Sequence, residues 1–178
     1  EMCIRDSLMA GRIDRVLKSC FHIVLFRPEI PYNTGNIIRL CANVGAELHL
    51  IRPLGFEMDE AHLRRAALDY TDLAIVTEYD SLEEYLVKYS DRRLFAISAR
   101  AAHYYTEVQY KSTDSFIFGP ESVGLPDSIL QMFPNEQKLV IPMMPDNRSL
   151  NVANAVSIVA YEAWRQLGFA GKSLLRDL

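Results

Sequence analysis

Residues Lys138 to Gly168 read KLVIPMMPDNRSLNVANAVSIVAYEAWRQLG, and the fold class follows from this stretch. Leu139, Val140 and Ile141 suit a buried strand, and Pro142 starts a turn. The loop from Met143 to Arg148 carries a second proline, Pro145. Val152, Val156, Val159 and Ala163 then recur at helical spacing, with Trp164 and Leu167 beside the stripe. Ser149 or Asn151 can cap the helix by accepting a hydrogen bond from a free backbone N–H, and Gly168 can end it. The polar residues Asn147, Arg148, Ser149, Asn151 and Asn154 therefore gather at a helix N-terminus, just past the carboxyl end of a strand. Ligands bind there in α/β proteins. Capping needs one or two such residues, and five are present.

Working outward, the 178 residues suffice for one domain with a sizeable core. About half are apolar, as in ordinary globular proteins. No apolar run approaches the roughly 18 residues of a membrane span. The net charge of -4 gives no general pull toward nucleic acid, so RNA contact would have to come from local basic patches. Cys3, Cys20 and Cys41 show no CxxC spacing, and a reducing cytoplasm is the expected compartment. His22, His49, His62 and His103 lack metal-ligand spacing. They read as surface or strand-end residues, and no metal is expected.

Residues 1–20 have no strand pattern and read as an N-terminal extension outside the fold. One domain spans 21–171, and 172–178 form a tail. Strands are expected at His22–Phe26, Glu47–Ile51, Leu73–Val76, Leu94–Ser98, Ser115–Phe118 and Leu139–Ile141. Helices are expected from Asn33 to Gly45, Asp59 to Leu68, Ser81 to Tyr89 and Asp127 to Phe133, besides the last one. Pro28 and Pro31 read as chain breaks, and Ala99–Thr113 as irregular. This alternation predicts parallel βαβ units and an α/β domain.

Three constellations could carry chemistry. Asn33, Asn36 and Arg39 lie on the first helix; alone, such a group is a solvated face with a cap. The loop Gly119-Pro120-Glu121-Ser122-Val123-Gly124-Leu125-Pro126 has glycines that permit close backbone approach. It lacks the Lys-Ser/Thr pair of a P-loop and is not GxGxxG. The third is the cluster from Arg148 to Asn154. All three fall at strand carboxyl ends, so a parallel sheet brings them to one edge.

In this order the three resemble the motifs of the SPOUT superfamily, in its SpoU-like branch of RNA ribose 2'-O-methyltransferases. The likeness runs from Phe21 to Gly171. It is carried by PEIPYNTGNIIRLCANVG, LRRAALDY, FGPESVGLP and IPM-PD-RSLNVANAVSIVAYEAWRQLG, and is nearest to the members that methylate the wobble nucleotide of tRNA. Ala153 departs from the serine common in relatives. The resemblance implies a parallel sheet with a C-terminal deep trefoil knot. It also implies S-adenosylmethionine as methyl donor, with S-adenosylhomocysteine as product. The cofactor would be held by Ile97, Gly119, Glu121, Gly124, Ile141, Met143, Ser149, Leu150 and Asn154.

Catalysis would fall to Arg39, with Asn36, Glu121, Ser149 and Asn151. Arginine is an awkward base because it normally stays charged; it acts either with an RNA phosphate or by stabilising the developing alkoxide. Arg27, Arg64, Arg65 and Arg148 are candidates for RNA phosphates. The partners implied are a tRNA anticodon stem-loop and a second copy of the chain, with Tyr161 and Trp164 on the last helix serving core or interface. Alternatives are a 2'-O-methyltransferase acting on rRNA or another tRNA position, and a non-catalytic RNA-binding module of the same fold.

Overall fold

The computed structural model describes residues 21–58 and 74–172. Among these, seven strands form one parallel sheet in the order β3-β2-β1-β6-β4-β7-β5. The strands are β1 (His22–Phe26), β2 (Glu47–Ile51), β3 (Ile75–Tyr79), β4 (Leu94–Ile97), β5 (His103–Tyr104), β6 (Ser115–Phe118) and β7 (Lys138–Val140). The helices are α1 (Pro31–Val44), α2 (Leu82–Lys88), α3 (Asp127–Leu130) and α4 (Val152–Gln166). No helix among the described residues is long and apolar enough to cross a membrane.

The central strands are apolar on both faces because both faces are covered. In β1, Ile23 and Leu25 pack into one core with Ile37, Ile38 and Cys41 of α1 and Val156, Val159 and Ala163 of α4. Val24 and Phe26 point into a second core with Leu82 and Tyr85 of α2 and Leu130 of α3. Each fully buried Ile or Val contributes about 1.5–3 kcal/mol relative to exposure. At the amino end of β6, Asp114 is buried and accepts from Arg93 Nε at 2.8 Å and Arg93 Nη2 at 2.7 Å. Its carboxylate also accepts from the Lys111 backbone N–H at 2.7 Å, so the turn into β6 is held by one fully bonded side chain.

The helix ends follow the local sequence. Asn151 caps α4 by accepting from the backbone N–H groups of Ala153 and Asn154 at 2.9 and 3.4 Å. Past α4, Gly168 is left-handed, and the Phe169 N–H returns to the Trp164 carbonyl at 2.9 Å. Ser81 caps α2 by accepting from Glu84 N–H at 3.2 Å.

Several expected boundaries need correction. Pro31 does not break the chain; it is the first residue of α1, where its missing N–H costs nothing. β3 runs over Ile75–Tyr79 rather than Leu73–Val76, because pairing with all of β2 sets its length at a half-exposed sheet edge. The β4 and β7 strands each end one residue earlier than expected, and α3 stops at Leu130. Ala99–Thr113 contains β5, which exists only through pairing of His103 and Tyr104 with Leu139 and Val140. His22 is a strand end, as expected, and His49 is not; neither lies at the surface, because their positions on β1 and β2 aim them into the second core, where both are buried. The expected helix from Asp59 to Leu68, with Arg64, Arg65 and His62, lies outside the described residues, as do residues 1–20.

Candidate active site

The carboxyl ends of β4, β6 and β7 are neighbours in the sheet, and a cavity of about 300 Å³ opens there. Its walls come from the chain after each strand. Ile97 to Arg100 follow β4, Phe118 to Leu125 follow β6, and Ile141, Met143, Ser149 and Leu150 follow β7. Val152 and Ala155 of α4 complete it. The volume lies at the lower end of the range for small-molecule sites, about 300–1,000 Å³.

Gly119 is required by close approach. A Cβ built there would stand 2.1 Å from the Leu125 backbone nitrogen and 2.2 Å from the Gly124 carbonyl carbon. The loop folds back because the Gly124 N–H donates to the Pro120 carbonyl at 2.8 Å, with Gly124 at φ +69°. This hairpin-like return forms one cavity wall.

Glu121 ties the three constellations together. Its Oε2 accepts from the Glu29 backbone N–H at 2.8 Å, and its Oε1 accepts from the Ile30 N–H at 3.2 Å and from Asn33 Nδ2 at 3.0 Å. Glu29 answers by accepting from the Ser122 N–H at 2.9 Å and the Ser122 hydroxyl at 2.8 Å. Asn33 Oδ1 accepts from Asn151 Nδ2 at 3.0 Å. The amide orientations are forced in sequence. Asn151 spends its oxygen on the α4 N-terminus, so its NH2 faces Asn33; Asn33 then presents its own NH2 to the acceptor-only carboxylate. One chain of polar contacts thus runs from the glycine loop through α1 to α4.

Eight of the expected cofactor positions line the cavity: Ile97, Gly119, Glu121, Gly124, Ile141, Met143, Ser149 and Leu150. Asn154 does not. Val152 and Ala155 face the cavity, and about 100° of helical rotation per residue turns Asn154 to the exposed side. Asn36 and Arg39 are exposed on α1 and do not line the cavity. Arg148 is exposed on the loop before α4, and Arg27 is exposed just after β1. Arg27 has a left-handed backbone, φ 52°, and its guanidinium lies 4.9 Å from the Phe26 ring centroid.

Arg100 escaped the sequence analysis, and Asn33 entered it only as part of the constellation on the first helix. Asn33 marks the helix start in the sequence, yet it is the buried link between Glu121 and Asn151. Arg100 lines the cavity and donates to the Leu125 carbonyl and to Asp127, spanning the loops after β4 and β6. Its segment carries no periodic signal that could have singled it out.

The chain is 53% identical over 156 residues to the tRNA (cytidine(34)-2'-O)-methyltransferase of Escherichia coli strain K12, covering 88% of this chain and 99% of that one. A solved structure from Bacillus anthracis superposes with a TM-score of 0.81 at 43% identity, covering 88% of this chain and 99% of the other. Another, solved to explain the 2-OH methylation of C/U34 on tRNA, superposes with a TM-score of 0.78 at 46% identity, covering 83% and 96%. The family model of the SpoU rRNA Methylase family matches residues 20–161. With that match across most of its length and relatives that align almost end to end, this chain belongs to the SpoU rRNA Methylase family.

Proposed function

We propose that this protein transfers a methyl group from S-adenosylmethionine to the ribose 2'-hydroxyl of the wobble nucleotide in a tRNA anticodon stem-loop. The reading rests above all on the cavity at the ends of β4, β6 and β7, walled by the glycine loop, in a chain 53% identical to a named wobble methyltransferase. The cavity suits such a cofactor. Ile97, Ile141 and Leu150 offer apolar surface for a flat base, and the Gly119–Gly124 backbone offers close polar contacts. When bound, S-adenosylmethionine supplies an electrophilic methyl group.

The chain's own groups then have separable roles. Glu121, with Asn33 and Asn151, holds the cavity wall against α1 and α4. Ser149 stands at the cavity edge, where it can orient the ribose. Arg39 and Asn36, exposed on α1, meet the RNA rather than the cofactor. Arg39 either stabilises the developing alkoxide as a cation or passes the hydroxyl proton to a neighbouring phosphate. Arg27 and Arg148, both exposed, would contact phosphates, which position the RNA without reading its sequence. Arg64 and Arg65 remain candidates from the sequence alone. The interior position of β7, between β4 and β5, supports the knotted path that the family resemblance implies.

We infer a homodimer as the working unit. Helices α1 and α4 pack together, and the exposed Ile30, Tyr32 and Tyr161 on or beside them leave apolar surface for a second copy. Trp164 belongs partly to the core, donating to the Ala170 carbonyl at 3.0 Å. Sedimentation should give a dimer at assay concentrations, and an active monomer there would defeat the inference.

Labelled S-adenosylmethionine incubated with total tRNA or rRNA, followed by nucleotide mapping, tests the substrate. A single-stranded loop exposes a reachable 2'-hydroxyl, unlike an A-form stem, so an isolated anticodon stem-loop should be methylated at the wobble ribose. The same stem-loop with deoxyribose at that position should accept nothing. Methylation of the deoxy substrate would end the assignment. Methylation of ribosomal RNA alone would replace it with the other family activity.

A further inference from the structure

At the opposite edge of the sheet, three ligand-type side chains meet in a way that linear spacing does not reveal. His22 and Glu47 are register partners across β1 and β2. His49 follows Glu47 by two residues and so shares its face. In the folded chain His22 Nε2 lies 3.5 Å, and His49 Nε2 3.6 Å, from the same Glu47 oxygen, Oε2. Both distances exceed an ordinary hydrogen bond. They fall within a few tenths of an ångström of the edge of a tetrahedron built on metal–ligand bonds of about 2.0–2.1 Å, an edge of about 3.3 Å.

We propose that His22, Glu47 and His49 form a binding site for one zinc-class divalent cation, joining the amino ends of β1 and β2.

Two features favour a cation over a plain polar cluster. First, His49 Nε2 is buried with no hydrogen-bond partner, a cost the fold otherwise bears for nothing. Second, each ring is oriented through its other nitrogen. His22 Nδ1 lies 3.1 Å from the Tyr85 hydroxyl and His49 Nδ1 3.1 Å from the Tyr79 hydroxyl. The tautomer that donates Nδ1–H to tyrosine leaves Nε2 as a lone pair aimed at Glu47, which is the outer-shell arrangement of metal-bound histidines.

The donor set is two imidazoles and one carboxylate. It suits zinc and its neighbours rather than magnesium or calcium, which prefer oxygen. The partly exposed Glu47 provides the approach from solvent. Lys88 and Arg92 face the cluster from α2 and the turn after it. Lys88 Nζ lies 3.5 Å from the Tyr79 hydroxyl, and Arg92 Nε 3.3 Å from the Ser115 hydroxyl that Tyr85 also reaches. Their charges oppose a cation and weaken the site without removing its geometry. The methyl-transfer cavity lies at the carboxyl edge, so the cation would act on the stability of the sheet.

Metal-stripped full-length protein titrated with Zn2+ against a chromophoric chelator should bind one ion per chain and melt at a higher temperature with zinc than without. Co2+ in its place should give the strong visible absorption of a four-coordinate site. His49→Asn and Glu47→Gln should each weaken zinc binding at least tenfold, and Lys88→Met should tighten it. Methyl transfer should survive chelation in every case. Glu47 is partly exposed and Gln matches its size, so that variant keeps the test valid if His49→Asn fails to fold. Absence of zinc binding in the wild type overturns the proposal, and so does stoichiometric binding undiminished by Glu47→Gln.

Discussion

An Arg39→Ala variant is expected to lose methyl transfer by roughly 10²–10⁴-fold, the range for removing a proton-transfer or charge-stabilising group, while binding S-adenosylmethionine as the parent does. The separation follows from placement. Arg39 is exposed on α1, whereas the cavity is built from the chain after β4, β6 and β7 with the start of α4. Single-turnover measurement with labelled cofactor and an anticodon stem-loop reads the chemical step, and calorimetry reads the binding. Arg39→Lys adds a discrimination. If the planar guanidinium bridges a phosphate and the hydroxyl, lysine should rescue little; if charge alone matters, it should rescue most of the activity. Alanine variants that turn over within tenfold of the parent would remove Arg39 from the centre of the mechanism.

Gly119→Ala is expected to damage the cofactor cavity more than any other one-methyl change in the loop. The added carbon would sit 2.1 Å from the Leu125 nitrogen and 2.2 Å from the Gly124 carbonyl carbon. Both are backbone atoms, so no rotamer relieves the clash and the loop must move. Overpacking of this kind costs about 1–3 kcal/mol, which corresponds to roughly 5–150-fold in cofactor affinity if the strain falls on the bound conformation. Gly124→Ala is the informative partner. Nothing lies within 4 Å of its added carbon, but φ is +69°, so it bears only the left-handed penalty of about 1–2 kcal/mol. Calorimetry with S-adenosylmethionine and thermal unfolding on both variants give the comparison. Parental affinity in Gly119→Ala would show that this wall does not hold the cofactor.

Much of the protein was legible in its residues. The alternation of apolar runs with amphipathic segments gave the α/β class, because a strand buried on both faces and a helix buried on one leave different periodicities. Glycines and caps marked where helices end, since left-handed backbone and free N–H groups are local needs. The meeting of the three constellations at one edge was readable because parallel strands deliver their carboxyl-end loops there, whereas the individual cofactor positions from Ile97 to Leu150 came from the family resemblance.

What the sequence alone left open depends on contacts between distant segments. Asn33 became the link between Glu121 and Asn151 only when α1, the glycine loop and α4 met. β5 exists because β7 lies beside it. His22 and His49 left the surface, and joined Glu47, because the register of β1 on β2 aligns residues 25 positions apart. Local patterns determine which backbone shapes and which faces a segment prefers. Strand order and register, set by the packing of the whole chain, decide which of those faces find each other.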